Sequence, residues 1–128
     1  MWIARAAGLT SSSTGRLAVV SGSAGWGVII KEAVANGRLT PHGHGKEKDT
    51  LARIAANHDV GVDAVALAAV LANPWADVVL SGAVTPAQLQ SNIAATQLQL
   101  DPAELGELTT LAEPPTQYWR ERATLPWD

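Results

Sequence analysis

The most constraining feature of this sequence is the stretch of residues 78–92, VVLSGAVTPAQLQSN. Its first three residues are β-favouring aliphatics, which predict a short strand covered on both faces, as in a parallel sheet. Thr85 precedes Pro86, and Gln88 follows three residues after Thr85, which is the pattern of a capping box with proline at the first helical position. The stretch therefore predicts a strand, a small-residue turn and a helix in direct succession.

The turn at Gly82 and Ala83 suits an anion. A helix N-terminus presents free backbone N–H groups and the positive end of the helix dipole, and small residues let a ligand approach the backbone closely. The natural ligand of such a turn is a phosphate. An ordinary βα turn without a ligand explains the same pattern, because these turns occur in most α/β proteins.

Composition limits the classes of function. The chain has 128 residues, of which 47% are apolar, so it can form one domain with a core. Its net charge is −3, and its basic residues are scattered, so we expect no nucleic-acid partner. It has no cysteine, which excludes disulfides and thiolate chemistry. Because it shows neither a signal-peptide pattern nor an apolar run of about 18 residues, we expect a cytoplasmic protein that does not enter membranes.

The rest of the chain predicts mainly helices. Residues 49–58 carry apolar positions at helical spacing, and residues 62–72 are apolar on nearly every side, so this second helix must be buried. Residues 101–111 begin with a second capping box that has proline at the first helical position. The aromatic and arginine-rich segment 117–127 is expected to pack across its own domain, with arginine stems over indole rings.

A second apolar strand is predicted at residues 26–30, directly before Lys31 and Glu32. In parallel α/β sheets, ligand sites gather at the C-terminal ends of the strands. Both residues are therefore candidates by position, although a solvated pair beside a helix start is the commoner explanation. Residues 32–37 predict a helical turn that ends in an Asn-Gly pair with positive φ.

His42 and His44 are the candidate metal ligands. No cysteine and no separate carboxylate pair completes a zinc site, because Glu47 and Asp49 belong to a helix start, where acidic residues are common. We predict a solvated loop and no metal site.

Residues 1–24 have no assigned fold. The glycine-rich loop that follows the aliphatic residues 17–20 has the spacing of neither GxGxxG nor GxxxxGK[ST]. We predict a disordered or loosely packed leader at 1–24 and a folded domain at 25–128.

From residue 25 onward the chain resembles the C-terminal portion of an aldo/keto reductase, a family of NADPH-dependent carbonyl reductases with a (β/α)8 barrel. Residues 28–40, VIIKEAVANGRLT, resemble the seventh barrel strand and its loop, and residues 78–92 resemble the eighth strand and the helix after it. The two helices between them resemble the family's paired helices, and residues 101–111 and 118–120 resemble its closing helix and tail. The resemblance implies an α/β fold: a partial (β/α)8 TIM barrel made of the last two strand–helix units and the C-terminal helices.

The resemblance also implies a dinucleotide site. The family binds the adenosine 2′-phosphate of NADP at the turn and helix after the eighth strand, where the residues alone suggest an anion. By position, the implied cofactor-binding residues are Val34 near the pyrophosphate, Gly82, Ala83 and Val84 in the turn, and Gln88 and Asn92 on the helix. The implied cofactor is NADP(H). Many members carry lysine, serine and arginine where this chain has Gly82, Ala83 and Gln88, so NAD(H) stays an alternative.

The resemblance assigns no catalytic residue to this chain. The family reduces a carbonyl with hydride from the nicotinamide, using a tyrosine, a lysine, an aspartate and a histidine that all lie in the first half of its barrel. Tyr118 lies in the tail, and Lys31, His42 and His44 match none of these positions. Since eight strand–helix repeats need about 250 residues, we expect a truncated portion without the catalytic tetrad that is inactive as this chain alone.

Three hypotheses follow. The chain is a reductase by descent in truncated form, a non-catalytic NADP(H)-binding module, or an assembly fragment. In the third case it would self-associate through its open sheet edges or complete a barrel with a partner. A small carbonyl substrate is expected only if a full barrel is completed.

Overall fold

A computed structural model of the protein describes residues 27–43, 47–111 and 113–124. The described elements are, in chain order, β1 (Ile29–Ile30), α1 (Glu47–His58), α2 (Val62–Leu71), β2 (Val78–Val79), α3 (Pro86–Ala94), α4 (Pro102–Thr110) and α5 (Pro115–Thr124). The predicted leader, the first residue of the predicted strand at 26–30, His44 and residues 125–127 of the aromatic segment lie outside the described residues.

The two strands pair in parallel, as predicted. Ile29 lies opposite Val78, and Ile30 lies opposite Val79. The Leu80 N–H extends the pairing by donating to the Ile30 carbonyl over 2.9 Å. Parallel pairing places the C-terminal ends of both strands, and the segments that follow them, at the same edge of the sheet.

The prediction that the strand at 78–80 is covered on both faces is wrong. Val78 and Leu80 are 47% and 52% exposed, and their neighbour on the same face, Ile29, is 66% exposed. Ile30 and Val79 point the other way and pack against the helical core. Because side chains alternate between the faces of a strand, the helices cover only one face of this sheet within the described residues.

Helix α2 lies at the centre of the core. Every residue from Asp63 to Val70 is buried, which confirms the predicted cover on nearly every side. One face of α2 packs with α1, α4 and α5, and the other packs under the sheet. The Asn73 side chain ends the helix by donating to the carbonyls of Ala69 and Val70, each over 3.0 Å.

Both predicted capping boxes are present. Thr85 accepts from the Gln88 N–H, and the Gln88 side chain accepts from the Thr85 N–H, each over 3.2 Å. Asp101 and Glu104 make the same reciprocal pair at the start of α4. Glu104 also lies 2.9 Å from the Nε2 atom of His58, which ties the end of α1 to the start of α4.

The segment after β1 differs from the predicted helical turn. Asn36 and Gly37 have positive φ, as predicted, but Glu32 and Ala35 also have positive φ, at 63° and 49°. Left-handed residues interrupt a right-handed helix. The chain therefore runs through a series of turns, which keeps it close to the end of β1.

The described part of the aromatic segment forms helix α5, which the sequence does not predict. It packs on its own domain, as predicted. Tyr118 is buried, with its ring edge-on to Trp119 at 5.1 Å between centroids. The expected arginine stems over indole rings are not what the described residues show. The cation over the Trp119 indole is Lys31, at 5.8 Å, and the arginine over the Tyr118 ring is Arg38, at 5.7 Å; both come from the segment after β1.

None of the described helices is long and apolar enough to cross a membrane alone. Helices α1 and α2 pass by length and composition only when they are joined, and they meet at 89°.

Candidate functional site

A cavity of about 590 Å³ opens at the C-terminal ends of β1 and β2. One wall is the segment after β1, and another is the turn after β2 with the first two turns of α3. Gly61 and Asp63, at the start of α2, also line it. The six residues that the resemblance implies for cofactor binding all line this cavity: Val34, Gly82, Ala83, Val84, Gln88 and Asn92.

The turn after β2 is held by neighbouring side chains. Asn92 is buried, and its amide group donates to the Ser81 carbonyl over 3.1 Å. The Ser81 hydroxyl accepts from the Ala83 N–H at 3.3 Å. Gly82, between them, has a φ of 64°, a left-handed conformation that glycine adopts without a steric penalty. Asn92 therefore positions the turn with its amide nitrogen. Its Oδ1 atom is the part of the side chain that remains for a ligand.

The Gln88 side chain accepts hydrogen bonds from backbone N–H groups that, on the sequence alone, would be free to bind an anion. Its Oε1 atom accepts from the Val84 N–H over 2.9 Å and from the Thr85 N–H over 3.2 Å. Because the Val84 N–H is taken, the group that Val84 offers to a ligand is its side chain, and the residue is 85% exposed. The Gly82 N–H and the Gln88 Nε2 group have no acceptor among the described residues, so these two donors are available to a ligand.

Charge is unevenly distributed around the cavity. Lys31 lines the wall after β1 and is the one lysine or arginine among the described lining residues. The wall made by the turn and α3 consists of uncharged residues. Asp63 is only 5% exposed, and its Oδ1 atom accepts from the Ser91 hydroxyl over 2.8 Å. His42 lies at the exposed rim.

Glu32 is the second carboxylate of the cavity, and α5 holds it in place. The Tyr118 hydroxyl donates to Glu32 Oε2 over 2.8 Å, and the Arg122 Nε atom lies 3.5 Å from Glu32 Oε1. Burial, and then the hydrogen bond to Glu32, raise the pKa of Tyr118 far above its ordinary value. Tyr118 therefore stays a hydrogen-bond donor at physiological pH.

Asp63, Ser91 and Tyr118 were not identified as site residues from the sequence. The available signal for Asp63 was an acidic residue in a helix that is otherwise apolar. Nothing local marks Ser91 or Tyr118, because their partners lie 28 and 86 positions away. No cluster of three metal-ligating side chains occurs in the part of the chain that the structure describes.

Comparison with known proteins identifies the family. The sequence profile of the aldo/keto reductase family matches residues 22–113. This match includes both strands, helices α1 to α4 and every residue that lines the cavity. No curated protein matches the chain. The family match covers most of the sequence, and the chain therefore belongs to the aldo/keto reductase family.

Proposed function

We propose that this chain is the dinucleotide-binding C-terminal portion of an aldo/keto reductase barrel. In this proposal β1 and β2 are the last two barrel strands, and α3 is the helix after the last strand. Family membership and the parallel pairing of the two strands support it. A bound nicotinamide dinucleotide supplies or accepts a hydride, and a small carbonyl compound is the substrate class once a full barrel is completed. We assign no catalytic residue to the described chain.

The observation that carries the proposal is the meeting of two distant segments in one cavity. The wall after β1 suits the pyrophosphate, because it holds Lys31 and because the N–H groups of Val34 and Asn36 donate to no acceptor among the described residues. The wall of α3 suits the adenosine, because Val84 offers an apolar contact, Gln88 offers its Nε2 donor and Asn92 offers its Oδ1 acceptor. Together the walls complement the charged and apolar parts of one dinucleotide.

A glutamate at position 88 tests this proposal. Gln88→Glu keeps the acceptor oxygens that cap α3, but it removes an amide donor and adds a negative charge to the cavity. We expect saturable quenching of tryptophan fluorescence when the chain is titrated with NADH or NADPH. The variant should bind at least tenfold more weakly, a loss of about 1.4 kcal/mol.

Gln90→Glu is the matched control, because Gln90 is exposed on the same helix and does not line the cavity. It should bind like the unmodified chain. Equal loss in both variants, or no saturable change at millimolar dinucleotide, would contradict the proposal.

We propose self-association as a second function of the same fold. The exposed face of Ile29, Val78 and Leu80 supports it. Each described strand also pairs on one side only, and unpaired strand edges with apolar side chains favour association with another chain.

A further inference from the structure

We propose that the cavity selects a dinucleotide whose adenosine ribose carries no 2′-phosphate, and that Asp63 makes this selection. The preferred ligand is then NAD(H) rather than NADP(H). This inference rests on the proposed function, because it concerns the same cavity.

Asp63 presents a buried acceptor to the cavity. Its side chain is more than nine-tenths buried, and Oδ1 accepts from Ser91, while Oδ2 has no donor among the described residues. A buried carboxylate oxygen without a donor is costly, so a ligand that supplies one is favoured. A ribose hydroxyl is such a donor, and carboxylates bind ribose hydroxyls in this way in dinucleotide sites of other folds.

A 2′-phosphate would have few hydrogen-bond donors and no cation among the described residues to bind it in the same place. The wall made by the turn and α3 has no cationic side chain. The N–H groups of Val84, Thr85 and Gln88 are already donated within the capping structure. Asp63 would repel a phosphate dianion across a partly desolvated cavity, where charge interactions are stronger than in water. Lys31 belongs to the segment after β1, which the proposed function assigns to the pyrophosphate.

Equilibrium titration of the full chain with NADH and with NADPH tests the inference. We expect NADH to bind at least tenfold more tightly. Asp63→Asn keeps the shape of the side chain and an oxygen for the Ser91 hydroxyl, but it removes the charge. We expect the ratio of the two dissociation constants to fall below threefold in this variant, with NADPH binding improved.

Ala87→Arg gives a test that leaves Asp63 in place, should Asp63→Asn fail to fold. Ala87 is exposed, lines the cavity and makes no side-chain hydrogen bond that an arginine would break. The added guanidinium should improve NADPH binding about tenfold more than NADH binding. Gln90→Arg is the matched control and should change neither.

The outcomes separate the two proposals. Binding of NADPH as tight as that of NADH would overturn the selection by Asp63 while leaving the dinucleotide site intact. A folded Asp63→Asn variant with an unchanged ratio would also overturn it. Failure of both dinucleotides to bind would overturn the proposed function and the selection with it.

Discussion

At the scale of single residues, Glu32 connects the cavity to α5. It adopts a positive φ, which is uncommon for a residue with a side chain, and its carboxylate contacts Tyr118 and Arg122. A left-handed residue persists where its surroundings compensate the strain. The hydrogen bond from the buried Tyr118 hydroxyl is a contact of this kind.

Tyr118→Phe should measure that contact. Loss of a hydrogen bond to a partly buried carboxylate lowers the free energy of unfolding by about 1–3 kcal/mol. The pKa of Tyr118 is higher in the folded chain than in the unfolded chain, so its contribution is fully present below about pH 10, the ordinary pKa of tyrosine. As the pH rises further, the unfolded tyrosine ionises first, and this contribution decreases.

Urea unfolding of both proteins from pH 7 to 11 checks this. The difference in unfolding free energy between the unmodified chain and Tyr118→Phe should be constant up to about pH 9 and then shrink. A difference that grows above pH 10 would show that the Tyr118 pKa is not raised.

At the scale of elements, helix capping determines where α3 and α4 begin, and close contact between backbone segments limits which residues fit in the loop before α1. The two capping boxes start α3 and α4 at their proline residues, as the sequence predicts. The loop between β1 and α1 depends on a glycine at position 43. Gly43 is buried, and a Cβ atom there would lie 1.9 Å from the Arg38 carbonyl oxygen. Because the obstacle is backbone, it cannot move aside as a side chain would.

Two glycine-to-alanine substitutions should therefore have opposite effects. Gly43→Ala forces the loop apart and should lower the unfolding free energy by about 1–3 kcal/mol. Gly106→Ala, inside α4, meets no atom within 4 Å and should raise it by about 0.5–1 kcal/mol, because alanine favours a helix. Thermal melts monitored by circular dichroism measure both. A tolerated alanine at position 43 would mean that the loop packs differently.

At the scale of the whole molecule, the described helices form a core on one side of a two-stranded sheet. Helix α2 is buried from Asp63 to Val70, whereas the second face of the sheet is exposed in the described residues. Arg38 ties the segment after β1 to α5 and the residues before it, since its guanidinium lies 2.6 Å from Glu113 and 3.3 Å from Glu121. The described fold is therefore closely packed where helices meet and exposed on the second face of the sheet.

Sedimentation equilibrium tests whether that open face drives association. We expect the chain to form oligomers at micromolar concentration, and Val78→Lys to shift it toward the monomer by placing a charge on the apolar face. Gln90→Lys, which adds the same charge at an exposed helical position, should leave the oligomeric state unchanged. A folded chain that stays monomeric at all concentrations would contradict the proposed self-association.

Local patterns in the sequence determined helices α1 to α4, the two capping boxes, the burial of α2 and the positive φ at Asn36 and Gly37. These features depend on interactions between residues only a few positions apart, which sequence spacing records directly. Parallel pairing and the family were also accessible, because successive strand and helix signals are ordered along the chain.

Tertiary structure alone decided which strand face stays exposed, that Glu32 meets Tyr118, and that Asp63 meets Ser91 at the cavity. It also decided that Asn92 holds the Ser81 carbonyl instead of keeping its amide donor for a ligand. These contacts join distant residues whose separation follows from how whole helices pack. No periodicity within one segment encodes such a distance, so packing had to be known before the donors and acceptors of the cavity could be counted.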